Sequence, residues 1–198
     1  MVSLLALAWI IGAVYASIPL FWLAIHPLTR FWQRQQRSPY LYLLPFWAMV
    51  VSLFLLATYR WFPQQVYRTW IALIPAATCF VTAIATYRRI SKDFGRPLVI
   101  GQAELQPAKH EQKLVTTGIH GRIRHPFYFA HFLMLLAFTV GSGLIALFIL
   151  TAIAVVTGVL MIRLEERELQ RRFGEQYREY SRRVPAIIPW PRSSSRAF

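Results

Sequence analysis

Residues 127–162 read FYFAHFLMLLAFTVGSGLIALFILTAIAVVTGVLMI and contain no Lys, Arg, Asp or Glu. Gly141, Ser142 and Gly143 interrupt this run near its middle. A split there leaves two arms of about eighteen residues, or roughly 27 Å of helix each. That length nearly spans the hydrocarbon core of a bilayer, which is about 30 Å thick. The run therefore predicts a helical hairpin that crosses a membrane twice.

Three further apolar segments precede this hairpin. They run from Val2 to Ile25, from about Tyr40 to Tyr59 and from about Thr69 to Tyr87. Apolar runs of this length are typical of membrane-spanning helices, so the sequence predicts an all-α integral membrane protein with about five transmembrane helices. No Lys or Arg precedes the first segment, and we therefore expect a retained helix rather than a cleaved signal peptide.

The polar segments divide the chain into three predicted regions. Glycines and prolines are scattered from Arg88 to Arg124, which predicts a long loop. After Ile162, apolar residues recur close to one face of a charged helix, which predicts an amphipathic helix on the membrane surface. We expect a three-helix membrane region over residues 1–87, a second region over 88–191 and a disordered tail over 192–198.

The basic residues predict the orientation in the membrane. The chain has 22 Lys and Arg against 8 Asp and Glu, and a formal net charge of +14. Twenty of the positive residues fall in segments that five spans would place on one side, and only Arg60 and Arg68 fall on the other. The positive-inside rule then predicts a cytoplasmic C-terminus and an N-terminus outside. This placement indicates anionic membrane lipids as partners and argues against nucleic acid.

Ionisable residues flank the hairpin on both sides. His125 and Pro126 begin it, and Glu165, Glu166 and Glu168 follow it closely. A glutamate at the edge of the hydrocarbon is costly unless it is paired or binds a cation. Two interpretations stay open here. Neighbouring arginines could neutralise the glutamates, or a carboxylate could receive the ammonium or sulfonium group of a ligand.

Other types of site find little support in the sequence. The five histidines do not show metal-ligand spacing with Cys, Asp or Glu. The segment Gly118 to Gly121 is too short for a dinucleotide fingerprint, and no predicted strand precedes it. Cys79 is the single cysteine, so an intrachain disulfide is excluded and a buried thiol is expected.

Several motifs occur in a fixed order through the C-terminal part of the chain. They are LVTTG at 114–118, RHPFY at 124–128, Glu165-Glu166, Phe173-Gly174 followed by Tyr177 and Tyr180, and Arg183-Val184-Pro185 followed by Pro189. This order resembles the isoprenylcysteine carboxyl methyltransferase family, and it is similar to the phospholipid N-methyltransferases of the same broader group. The first three spans match only in being hydrophobic.

The resemblance implies transfer of a methyl group from S-adenosyl-L-methionine to a lipophilic or lipid-linked acceptor. Region 88–191 would then be the cofactor-binding catalytic region, with its pocket at the cytoplasmic interface. Carried over by position, the residues implied to bind the cofactor are Gln112, Lys113, Leu114, Val115, His120, His125, Pro126, Phe127, Tyr128 and Glu165.

The resemblance also implies roles at the acceptor. Met161 occupies the position of the family's acceptor-side arginine, so Arg163 is expected to substitute for it. Arg163 or Arg183 would bind an acceptor carboxylate, and Glu166 or His125 would be the base if the acceptor were an amine. We expect a carboxyl acceptor ahead of an amine.

Two other functions are consistent with the same pattern. One is a membrane reductase of the steroid-reductase type that uses NADPH. The other is a non-enzymatic membrane scaffold in which the Glu and Arg clusters form interface salt bridges. The methyltransferase interpretation requires that the hairpin bring Tyr128 within a ligand's length of Glu165.

Overall fold

A computed structural model describes residues 2–28, 31–32, 34, 38–93 and 114–188. These residues form five α-helices and four short 3-10 helices, without a β-strand among them. The α-helices are α1 (Val2–Ile25), α2 (Tyr40–Thr58), α3 (Leu73–Asp93), α4 (Pro126–Ser142) and α5 (Ile145–Arg183). The 3-10 helices are His26–Leu28, Tyr59–Trp61, Trp70–Ala72 and Gly118–Gly121. The predicted all-α fold is confirmed.

Four of the helices, taken with their adjoining 3-10 turns, are long and apolar enough to cross a membrane: Ser3–Leu28, Tyr40–Trp61, Trp70–Lys92 and Ile145–Arg183. The remaining helix, α4, is apolar and has 17 residues. Large apolar side chains point outward from these helices, with Leu56 74%, Ile74 61% and Val156 61% exposed. Such a surface suits lipid tails rather than water, and the chain is a multi-pass membrane protein.

Helix α1 lies at the centre of the bundle. It packs against α5, α4 and α2, whereas α3 packs mainly against α4. Ala13 and Ala16 of α1 are fully buried beside Leu147 and Leu150 of α5. Small side chains allow membrane helices to approach closely, and this contact fixes the two helices side by side. As a result, the end of α1 at His26 lies next to the middle of α5.

The turn between α4 and α5 lies at the predicted place. Gly143 has a φ of 67° in the left-handed region, which glycine adopts without steric cost. Its carbonyl oxygen accepts a hydrogen bond of 2.8 Å from the N–H of Val66, and the N–H of Ile145 donates to Gln64 at 3.0 Å. A Cβ at Gly143 would lie 2.6 Å from the carbonyl oxygen of Tyr67. The connection between α2 and α3 therefore holds the hairpin turn in place.

The charged segment after Ile162 differs from the prediction in one respect. The sequence predicts a separate amphipathic helix, but the segment continues α5, which has 39 residues from Ile145 to Arg183. Neither Gly nor Pro occurs between Ile162 and Phe173, so nothing breaks the helical hydrogen bonds there. The helix bends only at Gly174, which has φ 55° and ψ −126°. Its placement on the membrane surface stays a prediction.

Parts of the predicted organisation lie outside the described residues. The structure describes the expected loop over 88–124 only at its two ends, and α3 extends to Asp93 rather than ending near Tyr87. Gln112, Lys113, Pro189 and the tail over 192–198 are not among the described residues. The region boundaries and the orientation of the termini therefore remain predictions.

Candidate active site

His125 joins the two glutamates that follow the hairpin. It directly precedes α4, and its side chain is 3% exposed. Its Nδ1 atom lies 3.5 Å from Oε2 of Glu165, and its Nε2 atom lies 3.2 Å from Oε1 of Glu166. The hairpin thus brings the start of α4 and the middle of α5 together, as the sequence predicts.

Arg124 neutralises Glu166. Its Nε atom donates to Oε1 of Glu166 at 2.9 Å, and its Nη2 atom contacts the same oxygen. Its Nη1 atom donates to the carbonyl oxygens of Ser181 (2.8 Å) and Val184. Arg124 belongs to one of the ordered motifs but is not among the predicted site residues. Its place directly before His125 is the signal in the sequence for this contact.

Backbone hydrogen bonds close the chain over this cluster. The N–H groups of Arg124 and His125 donate to the carbonyl oxygens of Pro185 and Ala186, both at 2.9 Å. The segment after α5 therefore returns to the start of α4. Because these bonds fix the backbone on both sides, the side chain of His125 has little freedom to leave the glutamates.

The protonation state of His125 follows from its surroundings. Burial lowers the pKa of the imidazole, but hydrogen bonds and charge from Glu165 and Glu166 outweigh burial and raise the pKa to about 9. His125 is therefore an imidazolium at neutral pH. In that state both ring nitrogens donate hydrogen bonds, and neither can accept a proton.

Glu165 lies on the side of α5 that faces Tyr128. The Tyr128 hydroxyl donates to Sδ of Met161 at 3.2 Å, and it also interacts with the Glu165 carboxylate. The rings of His125 and Tyr128 lie 5.9 Å apart. Oε2 of Glu165 is buried, and the Nδ1 atom of His125 faces it at 3.5 Å, which is long for a hydrogen bond. A buried carboxylate of this kind fits the ammonium group of S-adenosylmethionine, which would add a shorter, charge-assisted hydrogen bond.

His26 extends the cluster from α1. Its Nδ1 atom lies 3.3 Å from Oε2 of Glu168, whose other oxygen accepts from Arg172 at 2.7 Å. His26 is buried, with 7% of its surface exposed. It is not among the predicted site residues. A histidine immediately after the first apolar span is the only signal in the sequence, and nothing there indicates that α1 lies beside α5.

The other residues that the resemblance assigned to the cofactor lie in two places, the first turn of α4 and the segment that packs near the end of α5. Pro126 is buried in the first turn of α4, as a proline there is expected to be. The ring of Phe127 turns toward α3 and lies 5.9 Å from the ring of Tyr87. It also lies 4.6 Å from the ring of His131, which is on α4 itself. The structure therefore does not bring Phe127 to the carboxylate of Glu165.

The predicted residues before α4 lie near the end of α5. Leu114 packs against Tyr177, Tyr180 and Val184, and Val115 is half-buried. The carbonyl oxygen of His120 accepts a hydrogen bond of 2.7 Å from the Tyr180 hydroxyl.

The two arginines expected at the acceptor lie apart from Glu165. Arg183 is 73% exposed at the end of α5, with Nη2 3.9 Å from Oε2 of Glu179. Arg163 lines a cavity on the Glu166 side of α5, whereas Met161 lies on the other side against Tyr128. Residues two apart on an α-helix point in nearly opposite directions. The structure thus separates both arginines from Glu165.

A larger apolar cavity of about 740 Å³ lies toward the other end of the bundle. It is enclosed by α1, α3 and α4, with Leu4, Leu73, Phe80 and Phe138 in its walls. None of the ionisable residues of the cluster lines it. The cavity is therefore separate from the candidate site.

Comparison with known proteins identifies the family. Residues 67–176, more than half of the chain, match the phospholipid methyltransferase family. The chain belongs to this family. The matched residues include α3, α4 and most of α5, and hence Arg124, His125, Tyr128, Glu165 and Glu166, whereas His26 lies outside the match. The predicted kinship with the phospholipid methyltransferases is confirmed, and the isoprenylcysteine type within this group stays a prediction.

Two curated relatives match shorter parts of the chain. Methanethiol S-methyltransferase 1 of Bradyrhizobium diazoefficiens is 39% identical over 72 residues, which are 36% of this chain and 24% of the relative. Delta(14)-sterol reductase TM7SF2 of Mus musculus is 32% identical over 108 residues, which are 53% of this chain and 25% of the relative. The chain thus spans about a quarter of the length of each relative. No solved structure matches the chain.

Proposed function

We propose that this protein is a membrane methyltransferase that transfers a methyl group from S-adenosylmethionine to a lipophilic acceptor. This proposal rests on the buried Glu165 carboxylate, which lies beside Tyr128 and His125 in a chain that belongs to the phospholipid methyltransferase family. The bacterial relative is likewise a methyltransferase by name. The excess of basic residues near this end of the helices supports a site on the cytoplasmic side.

In this proposal the chain's own residues position the reactants. S-adenosylmethionine would supply an electrophilic methyl group on a sulfonium centre; a bond from the acceptor to the methyl carbon would replace the carbon–sulfur bond, and the neutral thioether S-adenosylhomocysteine would leave. Glu165 holds the ammonium group, and Tyr128 and His125 fix the direction of the Glu165 carboxylate. Burial strengthens the pairing of Glu165 with a cation. Since displacement at a sulfonium removes charge, positioning and exclusion of water contribute more than acid or base groups do.

The acceptor group that we favour is a carboxylate. An amine must lose a proton before it attacks, and the cluster has no ready base. His125 is already protonated at neutral pH because its pKa is raised to about 9. Oε1 of Glu166 accepts hydrogen bonds from Arg124 and contacts His125, and these two cations stabilise the carboxylate and make it a weaker base. A carboxylate is ionised at neutral pH and needs no base. An amine remains the second candidate, since the family is that of the phospholipid methyltransferases.

The stability of the product to alkali separates the two acceptors. Membranes that carry the protein are given S-adenosylmethionine with a labelled methyl group, and the lipid-soluble products are extracted and treated with mild alkali. A methyl ester releases labelled methanol, whereas an N-methyl group keeps its label. Membranes carrying Glu165→Gln are the matched control. Label that survives alkali would reject the carboxylate, and lipid labelling that Glu165→Gln leaves unchanged would reject the site.

A second function has one specific observation in its favour. The match to the sterol reductase covers 108 residues and more of this chain than the match to the methyltransferase does. A reductase of that type would bind NADPH. Calorimetry on the purified protein with NADPH and with S-adenosylhomocysteine distinguishes the two functions. We expect heat of binding only with S-adenosylhomocysteine, and heat only with NADPH would favour the reductase.

A further inference from the structure

The inside of the bend in α5 contains a second, polar cavity. It has a volume of about 320 Å³ and lies on the Glu166 side of the helix. Arg163, Arg167 and Gln170 line it from the straight part of α5, and Tyr177 lines it from beyond the bend at Gly174. The spacing of the first three, at i, i+4 and i+7, places them on one face of the helix.

The cavity has an excess of positive charge. Of its ionisable residues, Arg124 and Glu166 neutralise each other. Arg163 and Arg167 are exposed, and their guanidinium groups make no hydrogen bond and no ion pair within the described part of the chain. Like charges one helical turn apart repel each other. An anion between them would remove this repulsion and would satisfy donors that are otherwise met only by water.

A buried neutral donor faces the same space. Tyr177 is 3% exposed, and its hydroxyl, although near Arg124, makes no hydrogen bond of ordinary geometry with a described residue. Buried hydroxyl groups are nearly always paired, so one that lines a polar cavity indicates a missing partner. The partner must accept a hydrogen bond from Tyr177 while it faces two guanidinium groups. Those requirements together describe an anion with several oxygens.

We propose that this cavity binds a phosphoryl group, from either a lipid headgroup or free phosphate. The two guanidinium groups, with the Tyr177 hydroxyl and the Gln170 amide, provide more donors than the two oxygens of a carboxylate can accept. Arginine is suited to phosphate because its planar group donates two parallel hydrogen bonds. The volume is at the lower end of the range for small-molecule sites, which is about 300–1,000 Å³. The proposal is independent of methyl transfer, because Glu165 lies on the other side of α5.

Binding is tested on the purified full chain in a non-ionic detergent, without S-adenosylmethionine. Calorimetry is run with inorganic phosphate at constant ionic strength, with chloride as the reference anion. It is also run with a short-chain phosphatidic acid, with the short-chain diacylglycerol that lacks the phosphoryl group as the reference lipid. We expect saturable binding of phosphate. Tighter binding of the phosphatidic acid than of phosphate identifies a lipid headgroup as the source, and equal binding identifies free phosphate.

Variants locate the site. The double variant Arg163→Gln/Arg167→Gln is expected to weaken phosphate binding at least about tenfold, since it removes two charge-assisted donors. Tyr177→Phe should weaken it by roughly threefold to tenfold, because it removes one neutral donor while keeping the ring. The matched control Arg178→Gln/Arg182→Gln removes two charges from the exposed face of the same helix, where the side chains are 54% and 73% exposed.

The control should stay within about twofold of the wild type, because neither Arg178 nor Arg182 lines the cavity. Glu165→Gln should also keep phosphate binding, which separates this site from the proposed cofactor site. Absence of saturable binding would overturn the proposal. So would an equal loss in the control pair, which would indicate a general effect of net charge.

Discussion

Nδ1 of His125 lies 3.5 Å from Oε2 of Glu165, at the end of the helical hairpin opposite its turn. Because the other ring nitrogen faces Glu166, one imidazolium joins the two sides of α5. Tyr128 and Met161 lie on the Glu165 side, and the arginine-lined cavity lies on the Glu166 side. Two adjacent glutamates therefore belong to different environments, and their substitutions should have different consequences.

Substitution of Glu165 tests the cofactor site. Glu165→Gln keeps the shape of the side chain but removes the charge that would pair with the ammonium group. A hydrogen bond between charged groups contributes about 1.5–3 kcal/mol, so binding of S-adenosylhomocysteine should weaken by roughly tenfold to a hundredfold. Calorimetry on the purified protein measures this change directly.

Glu168→Gln is the control for that substitution. Glu168 contacts His26 and Arg172 rather than His125, so Glu168→Gln should change the binding of S-adenosylhomocysteine little. Both variants are compared at temperatures well below their melting temperatures, so that partial unfolding does not imitate weak binding. Equal effects of the two substitutions would contradict the assignment of Glu165.

Stability should depend on pH through His125. Its pKa is raised from 6.5 to about 9 in the folded protein, so the folded state holds the proton more tightly than the unfolded state does. The resulting stabilisation is fully present below about pH 6.5 and is lost as the pH rises through about 9. The melting temperature should therefore fall across this interval.

The variant His125→Gln shows whether this residue is responsible. Glutamine cannot titrate, so the fall in melting temperature between pH 6.5 and 9 should become much shallower. The variant should also be less stable than the wild type at pH 6.5, because the two carboxylates lose their shared cation. An unchanged slope in this variant would assign the pH dependence to other groups.

Arg124→Lys tests the geometry of the contact with Glu166. Lysine keeps the charge, but its donors all lie on one nitrogen, which cannot reproduce the separate positions of Nε near Glu166 and Nη1 near the two carbonyl oxygens. We expect a loss of about 2 kcal/mol in the free energy of unfolding and a melting temperature lower by roughly 4–8 °C.

The same exchange at an exposed ion pair provides the comparison for Arg124→Lys. Arg178 is 54% exposed and lies 3.1 Å from Glu175 on the same helix. Exposed pairs contribute little, so Arg178→Lys should change the free energy of unfolding by less than about 0.5 kcal/mol. Thermal unfolding of both variants measures the difference. Similar melting temperatures would mean that the fork-shaped geometry of Arg124 does not matter.

Two glycines of α5 should respond to alanine in opposite ways. Gly174 has φ 55° and ψ −126°, where other residues are strained, although a Cβ added there would meet nothing within 4 Å. Gly174→Ala should therefore destabilise the protein through its backbone, by about 1–3 kcal/mol. Gly158 has ordinary helical geometry and only Pro19 nearby at 3.9 Å, so Gly158→Ala should stabilise it by about 0.5–1 kcal/mol. Thermal unfolding of both variants measures these changes in the free energy of unfolding. If Gly174→Ala left that free energy unchanged, the bend would relax without strain.

Local features of the sequence predicted much of the fold. The turn at Gly143 could be located because glycines interrupt an apolar run at the point where each arm nearly spans a bilayer. The nearness of His125 to the glutamates followed from the same hairpin. The break between hairpin and charged helix was misplaced, because a change of polarity at Arg163 does not interrupt backbone hydrogen bonding. The actual bend at Gly174 depends on a conformation that only glycine adopts easily.

By itself the sequence determined the membrane class, the apolar spans, the hairpin and the family, because run length, residue spacing and motif order are properties of neighbouring residues. Only the tertiary structure decided which side of α5 each charged residue faces. It placed His26 beside Glu168, brought Tyr177 over the cavity near Arg124 and left Arg183 exposed. Those positions depend on how far each helix rotates about its axis and where the chain returns. Both are set by packing between residues that are distant in the sequence.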